Sequence, residues 1–138
     1  MNEEIEKMSR YSNLLVKIKK GLEEAKGVHN ATVHRQFEKA QQGENASLQG
    51  IDLHDADLRC ANFQNADLEE ANLQNATLQN ANLQNANLCG ANLMGADLQN
   101  ANLKNADLRG SDLRHADIRG VDLSATNIED AWIKDAIT

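Results

Sequence analysis

The chain has 138 residues, a formal net charge of −7, 41% hydrophobic residues and only 3% aromatic ones. Its mean hydropathy of −0.61, the lack of any run near the ~18 apolar residues of a membrane span, and the acidic start MNEEIEK, unlike a secretory or transit leader, set the expectation of a cytoplasmic protein of single-domain size. A pI of about 5.0 with so few aromatic rings leaves a direct nucleic-acid binder without its basic stripe and its stacking platform.

Residues 1–45 form a segment of their own. Met8, Tyr11, Leu15, Ile18, Leu22 and Ala25 recur at alternating steps of three and four, which predicts an amphipathic helix over 3–26. Gly27 and the His29–Asn30 stretch interrupt it, and Ala31 to Gln42 reads as a shorter second helix around Val33, Phe37 and Ala40. Such a segment suits a cap over the first apolar layer that follows, at Leu48 and Leu53. A self-association helix and an amphipathic helix lying on a membrane surface are the alternatives.

From Ala46 onward one five-residue unit recurs: a small residue, Asp or Asn, Leu, and two mostly polar residues, in eighteen consecutive copies from ASLQG to AWIKD. Five residues advance about 500° on an α-helix, so a leucine in each unit would smear around its surface. On a straight strand the same leucines would alternate between faces. The backbone must therefore turn once per unit, and Asn, Asp or Gly at the fifth position supplies residues that tolerate tight-turn dihedrals. Units too short to bury their own apolar side stack on one another as a solenoid.

This pattern resembles the pentapeptide-repeat family, whose signature A(D/N)LxX is purest here between Ala56 and Gly110. The resemblance covers 46–138 and implies a mainly β solenoid, a right-handed quadrilateral β-helix with four units per coil. Eighteen units then make about 4.5 coils, roughly 22 Å long at strand spacing. It also implies that the small and central residues point inward. The expected core is Leu48, Leu53, Leu58, Phe63, Leu68, Leu73, Leu78, Leu83, Leu88, Leu93, Leu98, Leu103, Leu108, Leu113, Ile118, Leu123, Ile128 and Ile133. Departures from the pattern gather near the ends: Ile51, Ser111, Val121 and Thr126 at the small position, and Trp132 and Ile137 at the Asp/Asn position. Family members that inhibit DNA topoisomerases dimerise through their C-terminal ends, which makes Trp132 and Ile137 candidates for association, alongside a homodimer through the N-terminal helix.

The chemistry of catalysis is not visible. Asp and Asn interchange freely at the second position, which fits a turn role and not general acid/base work. His54 and His115 fall on one side but about three coils apart, too far to share a metal. Cys60 and Cys89 fall on different sides, which argues against a disulfide. No enzyme activity, cofactor or metal is expected.

Charge suggests two binding readings. Residues 46–138 carry 14 acidic and 6 basic residues, a formal −8, against +1 for 1–45. An acidic rod raises the alternative of a DNA mimic acting on a type II topoisomerase such as gyrase. Duplex DNA would, however, display about 13 charges over such a length, at one per ~1.7 Å. Arg109, Arg114 and Arg119 beside Asp107, Asp112 and Asp117 also oppose mimicry. The leading reading is a non-catalytic interaction or scaffold module for an unidentified protein partner, with those three arginines as the candidate surface.

Overall fold

The computed structural model describes residues 2, 3, 5, 30–42 and 44–138. The apolar stripe from Met8 to Ala25 lies outside the described residues. Helix α1 spans Asn30–Gln41. Lys39 sits in its last turn, where a cation complements the carbonyl end of the helix. Beyond the helix, Gln42 N–H reaches the Glu38 carbonyl at 3.1 Å and Glu44 N–H the Lys39 carbonyl at 2.9 Å. Ala40 is fully buried and belongs to the same apolar cluster as Leu48 and Leu53.

The remainder is a stack of coils. The isolated bridges that hold it are parallel and join residues 20 apart, from Ser47↔Asp67 to Asp117↔Ile137, so each coil contains four units and has four sides. Within the ladder the central residue of a unit donates to the coil that follows, as in Leu48 N–H to Asp67 carbonyl (2.7 Å). The second residue donates to the coil before, as in Asp67 N–H to Ala46 carbonyl (2.8 Å). Between sides the chain turns by a three-residue bond such as Ala66 N–H to Phe63 carbonyl (3.0 Å). The fifth residue takes a positive φ at every unit from Gly50 to Asp135 except Ala125, the geometry a type II turn requires. Asparagine, aspartate and glycine fill most of these places, but Cys60, Glu70 and His115 adopt it too, at φ of 60°, 56° and 60°.

Packing follows from this register. Fifteen of the eighteen central residues, Leu48 to Ile118, are buried, with the alanines of the small position filling the corners beside them. Ser111, at a small position, is also buried and satisfies its hydroxyl on the Leu108 carbonyl at 2.7 Å. Each buried leucine contributes ~1.5–3 kcal/mol before chain entropy is subtracted, so the leucine columns dominate the stability of the stack. The row is not uniform to its end. Leu123 is half-buried, and Ile128 and Ile133 are 36% and 46% exposed, because they belong to the last coil and no coil of this chain lies over them. This corrects their assignment to the core.

Candidate interaction surface

The side chains that face outward are organised by the same repeat. At the second position the Asp or Asn Oδ1 accepts the main-chain N–H two residues on, for example Gln64 to Asn62 (3.1 Å), Cys89 to Asn87 (3.1 Å) and Gln99 to Asp97 (3.1 Å). Either residue offers that oxygen, which accounts for their interchange. Asparagine adds a second bond that aspartate cannot make. Its Nδ2 donates to the residue 20 positions earlier: Asn72 to Asp52 (3.1 Å), Asn87 to Asp67 (3.2 Å) and Asn102 to Asn82 (3.4 Å). The outward polar groups are thus tied to one another along and across coils.

Two glutamines of α1 extend this network to the first coil. Gln41 accepts the Asn62 N–H through Oε1 and donates from Nε2 to the Asn62 carbonyl, both at 3.0 Å. Gln36 Oε1 accepts the Ser47 N–H at 2.9 Å. One carboxamide therefore makes, at Asn62, the pair of bonds that the main chain of a preceding coil makes elsewhere in the ladder. The sequence reading placed a helix here without singling out either glutamine.

The three arginines of the candidate surface do not form one patch. Arg109, Arg114 and Arg119 stand on three successive sides of one coil, and each is forked onto the aspartate of its own unit. Their Nη2 atoms lie 2.6, 2.7 and 2.6 Å from Asp107, Asp112 and Asp117, with Nε closing the second bond in each pair. Arg59 and Asp57 repeat the motif at 2.6 Å. Hydrogen bonds from these guanidinium groups hold the Asp107, Asp112 and Asp117 carboxyls below their ordinary value of 3.8. On the first coil His54 is raised above its ordinary 6.5 by its 2.7 Å hydrogen bond to Asp52.

One of the arginines stands apart. The Arg114 guanidinium lies over the Trp132 ring, 5.1 Å from its centroid, a cation–π contact. Trp132 pairs with Asp112 in the ladder and faces outward from a side, so it does not fold over the last coil. Trp132 is 59% exposed, and Ile137, paired with Asp117 on the next side, is 50% exposed. With Ile128 and Ile133 they form the exposed apolar group of the described solenoid. His54 and His115 are not brought together with other ligands; among the described residues no cluster of three or more His, Cys, Asp or Glu is placed to hold a metal. No described helix is long and apolar enough to cross a membrane.

The 20-residue coil, the left-handed fifth residue and the inward leucine rows coincide with a match to the family model for pentapeptide repeats, in eight copies over residues 44–75, 71–110 and 91–130. The chain belongs to the pentapeptide-repeat family. The fold of that family is the right-handed quadrilateral β-helix. Among solved structures this pentapeptide-repeat chain is similar to HetL, a pentapeptide repeat protein involved in heterocyst differentiation regulation from the cyanobacterium Nostoc sp. strain PCC 7120. The identity is 40% over 64% of this chain and 38% of HetL, with a TM-score of 0.49. It is similar to Rfr23 from the cyanobacterium Cyanothece 51142 at 32% identity over 68% of this chain and 59% of that one, TM-score 0.47. A pentapeptide repeat protein from the Arabidopsis thaliana thylakoid lumen shares 29% over 71% and 70% of the two chains, TM-score 0.36. The chain thus spans less than two thirds of HetL and of Rfr23. No curated protein matches it significantly.

Proposed function

We propose that this protein is a non-catalytic interaction module whose recognition surface is centred on Arg114, Trp132 and Ile137, with α1 closing the opposite end of the stack. The observation that carries this is the confinement of large exposed apolar side chains of the solenoid to residues 128–137, beside an arginine already oriented on the tryptophan. Tryptophan and arginine are the residue types that most often anchor protein interfaces. Exposed apolar patches on otherwise polar proteins commonly mark binding sites. The rest of the outer surface is self-satisfied: its carboxamides bond one another and its arginines bond their own aspartates, so few groups there gain a partner on binding. The cellular setting that goes with this reading is a reducing cytoplasm, where Cys60 and Cys89 remain thiols.

The simplest occupant of the surface is a second copy of the chain. The last coil presents Ile128 and Ile133 at its end, and stacking two such ends would continue the leucine columns. Sedimentation velocity over a range of concentrations tests this. The full chain is expected to associate, and the variant I128S/I133S, which removes the exposed apolar side chains of the open end, to remain monomeric. A monomer at every concentration would remove the homodimer and leave a different protein as partner.

The acidic excess that motivates the DNA-mimic alternative is unevenly placed. Residues 71–95 contain no charged side chain, residues 96–120 carry four acids and four bases, and the excess sits at the two ends, in 52–70 and 121–138. Duplex DNA presents charge at every step along its axis. No inhibition of gyrase supercoiling is therefore expected from the full chain at micromolar concentration.

A further inference from the structure

The main-chain ladder loses its central and second-position bonds at one unit, Val121–Ala125; the other lapse is a single bond, from His115 N–H to the Lys134 carbonyl. From Leu48 onward, central N–H groups donate to the carbonyl 19 residues later up to Ile118, but no such bond joins Leu103 to Asp122. The reciprocal bond from Asp122 N–H to the Ala101 carbonyl is also missing, as is the 102↔122 bridge that the register calls for. Asn105 N–H reaches Ala125, one residue beyond the partner its position takes elsewhere, at 2.8 Å. The cause is legible in the residues. Ala125 is the one fifth residue that does not take the left-handed turn; a β-branched small position such as Val121 does not suffice, since Ile51 and Thr126 keep their ladders.

The consequence is a surface trough of about 450 Å³ between the two coils, lined by Leu103, Lys104, Asp122 and Ser124 among others. Leu103 and Ala101 are 1% and 4% exposed, yet the Leu103 N–H and the Ala101 carbonyl have no hydrogen-bond partner among the described residues. Buried main-chain groups left in this state are costly and draw in a polar partner. Lys104 and Asp122 line the same trough and are not ion-paired to any described residue, Asp122 Oδ1 accepting the Ser124 N–H at 2.9 Å, whereas Arg59, Arg109, Arg114 and Arg119 each hold the aspartate of their own unit. One N–H donor, one carbonyl acceptor, one cation and one anion therefore belong to residues that line one trough, at the place where the ladder would have paired Leu103 and Ala101 with the C=O and N–H of Asp122.

We propose that this trough binds the zwitterion of a free α-amino acid. The α-carboxylate accepts from the Leu103 N–H and the Lys104 ammonium; the α-ammonium donates to the Ala101 carbonyl and the Asp122 carboxylate. A charge-assisted bond at each end sets the specificity for the zwitterion over capped analogues. The side chain of the amino acid points away along the open trough, so recognition is of the class and not of one member. This site is independent of the surface at Trp132.

The test is titration of the ¹⁵N-labelled full chain with glycine, glycinamide and N-acetylglycine, followed on the Leu103, Lys104 and Gly120 amide resonances. Glycine is expected to give saturable shifts. Glycinamide, without the carboxylate, and N-acetylglycine, without the ammonium, are expected to bind about tenfold more weakly. The exposed-site variants K104Q and D122N should each weaken glycine by a similar factor while leaving the rest of the spectrum in place. The variant V121A/A125N, which restores the family pattern, should abolish the shifts. Absence of saturable shifts, equal response to the capped analogues, or indifference to K104Q and D122N would each overturn the proposal and leave water as the partner of Leu103 and Ala101.

Discussion

Asparagine and aspartate exchange at the second position because the turn asks only for an oxygen, and the difference between them lies in the bond to the neighbouring coil. Asn82 accepts Gln84 N–H at 3.1 Å and Asn102 Nδ2 at 3.4 Å, both through Oδ1. Asn82→Asp keeps that oxygen and loses only the 3.4 Å bond from Nδ2 to Gln64 Oε1, so it should cost less than Asn82→Ala, which should cost about 1 kcal/mol; the urea midpoints of the two variants provide the check. The Asp–Arg forks carry a pH signature. Asp107, Asp112 and Asp117 have lowered folded values, so their contribution is complete above the ordinary 3.8 and is lost as pH falls through those lowered values. The variant R109Q/R114Q/R119Q should melt slightly below the parent near neutral pH, since exposed pairs contribute little, and the two melts should converge on acidification to about pH 2. A gap that widens toward acid would contradict the fork assignment.

At the scale of the unit and the coil, position decides how much a residue matters. Leu83 is fully buried with coils on both sides, while Ile133, the central residue of a unit in the last coil, is 46% exposed. Leu83→Lys places an ammonium among stacked leucines and should abolish the cooperative melt followed by circular dichroism; Ile133→Lys should leave a folded protein. The sequence made this architecture legible because a period of five is incompatible with helix and strand alike, and because Asn and Gly mark the turns. It gave less away at the ends. Val121 and Thr126 stand out as departures from the small position, but a slip of one bond at Asn105 depends on Ala125 failing to take a positive φ. Cys60, Glu70 and His115 do take it, so residue type alone does not forecast where the turn fails. Gln36 and Gln41 were likewise silent, since a carboxamide that completes a ladder looks in sequence like any helix-surface glutamine.

For the whole molecule, the three arginines of the candidate surface act separately. Arg109, Arg114 and Arg119 run around one coil at successive outward positions, as the repeat spacing implies, so the three face different directions and a flat partner cannot engage them together. What gathers in space is Arg114 with Trp132, 18 residues apart in sequence and one coil apart in the stack. Recognition at that end, in place of catalysis or charge mimicry, is the centre of the account. It is tested most directly by affinity capture from native host lysate with three full-length baits: the parent, R114Q/W132S/I137S, and R59Q as a control that changes a forked arginine about three coils away. The account predicts a partner held by the parent and by R59Q and released by the triple variant; a partner retained by the triple variant would place recognition on another side of the solenoid and contradict it.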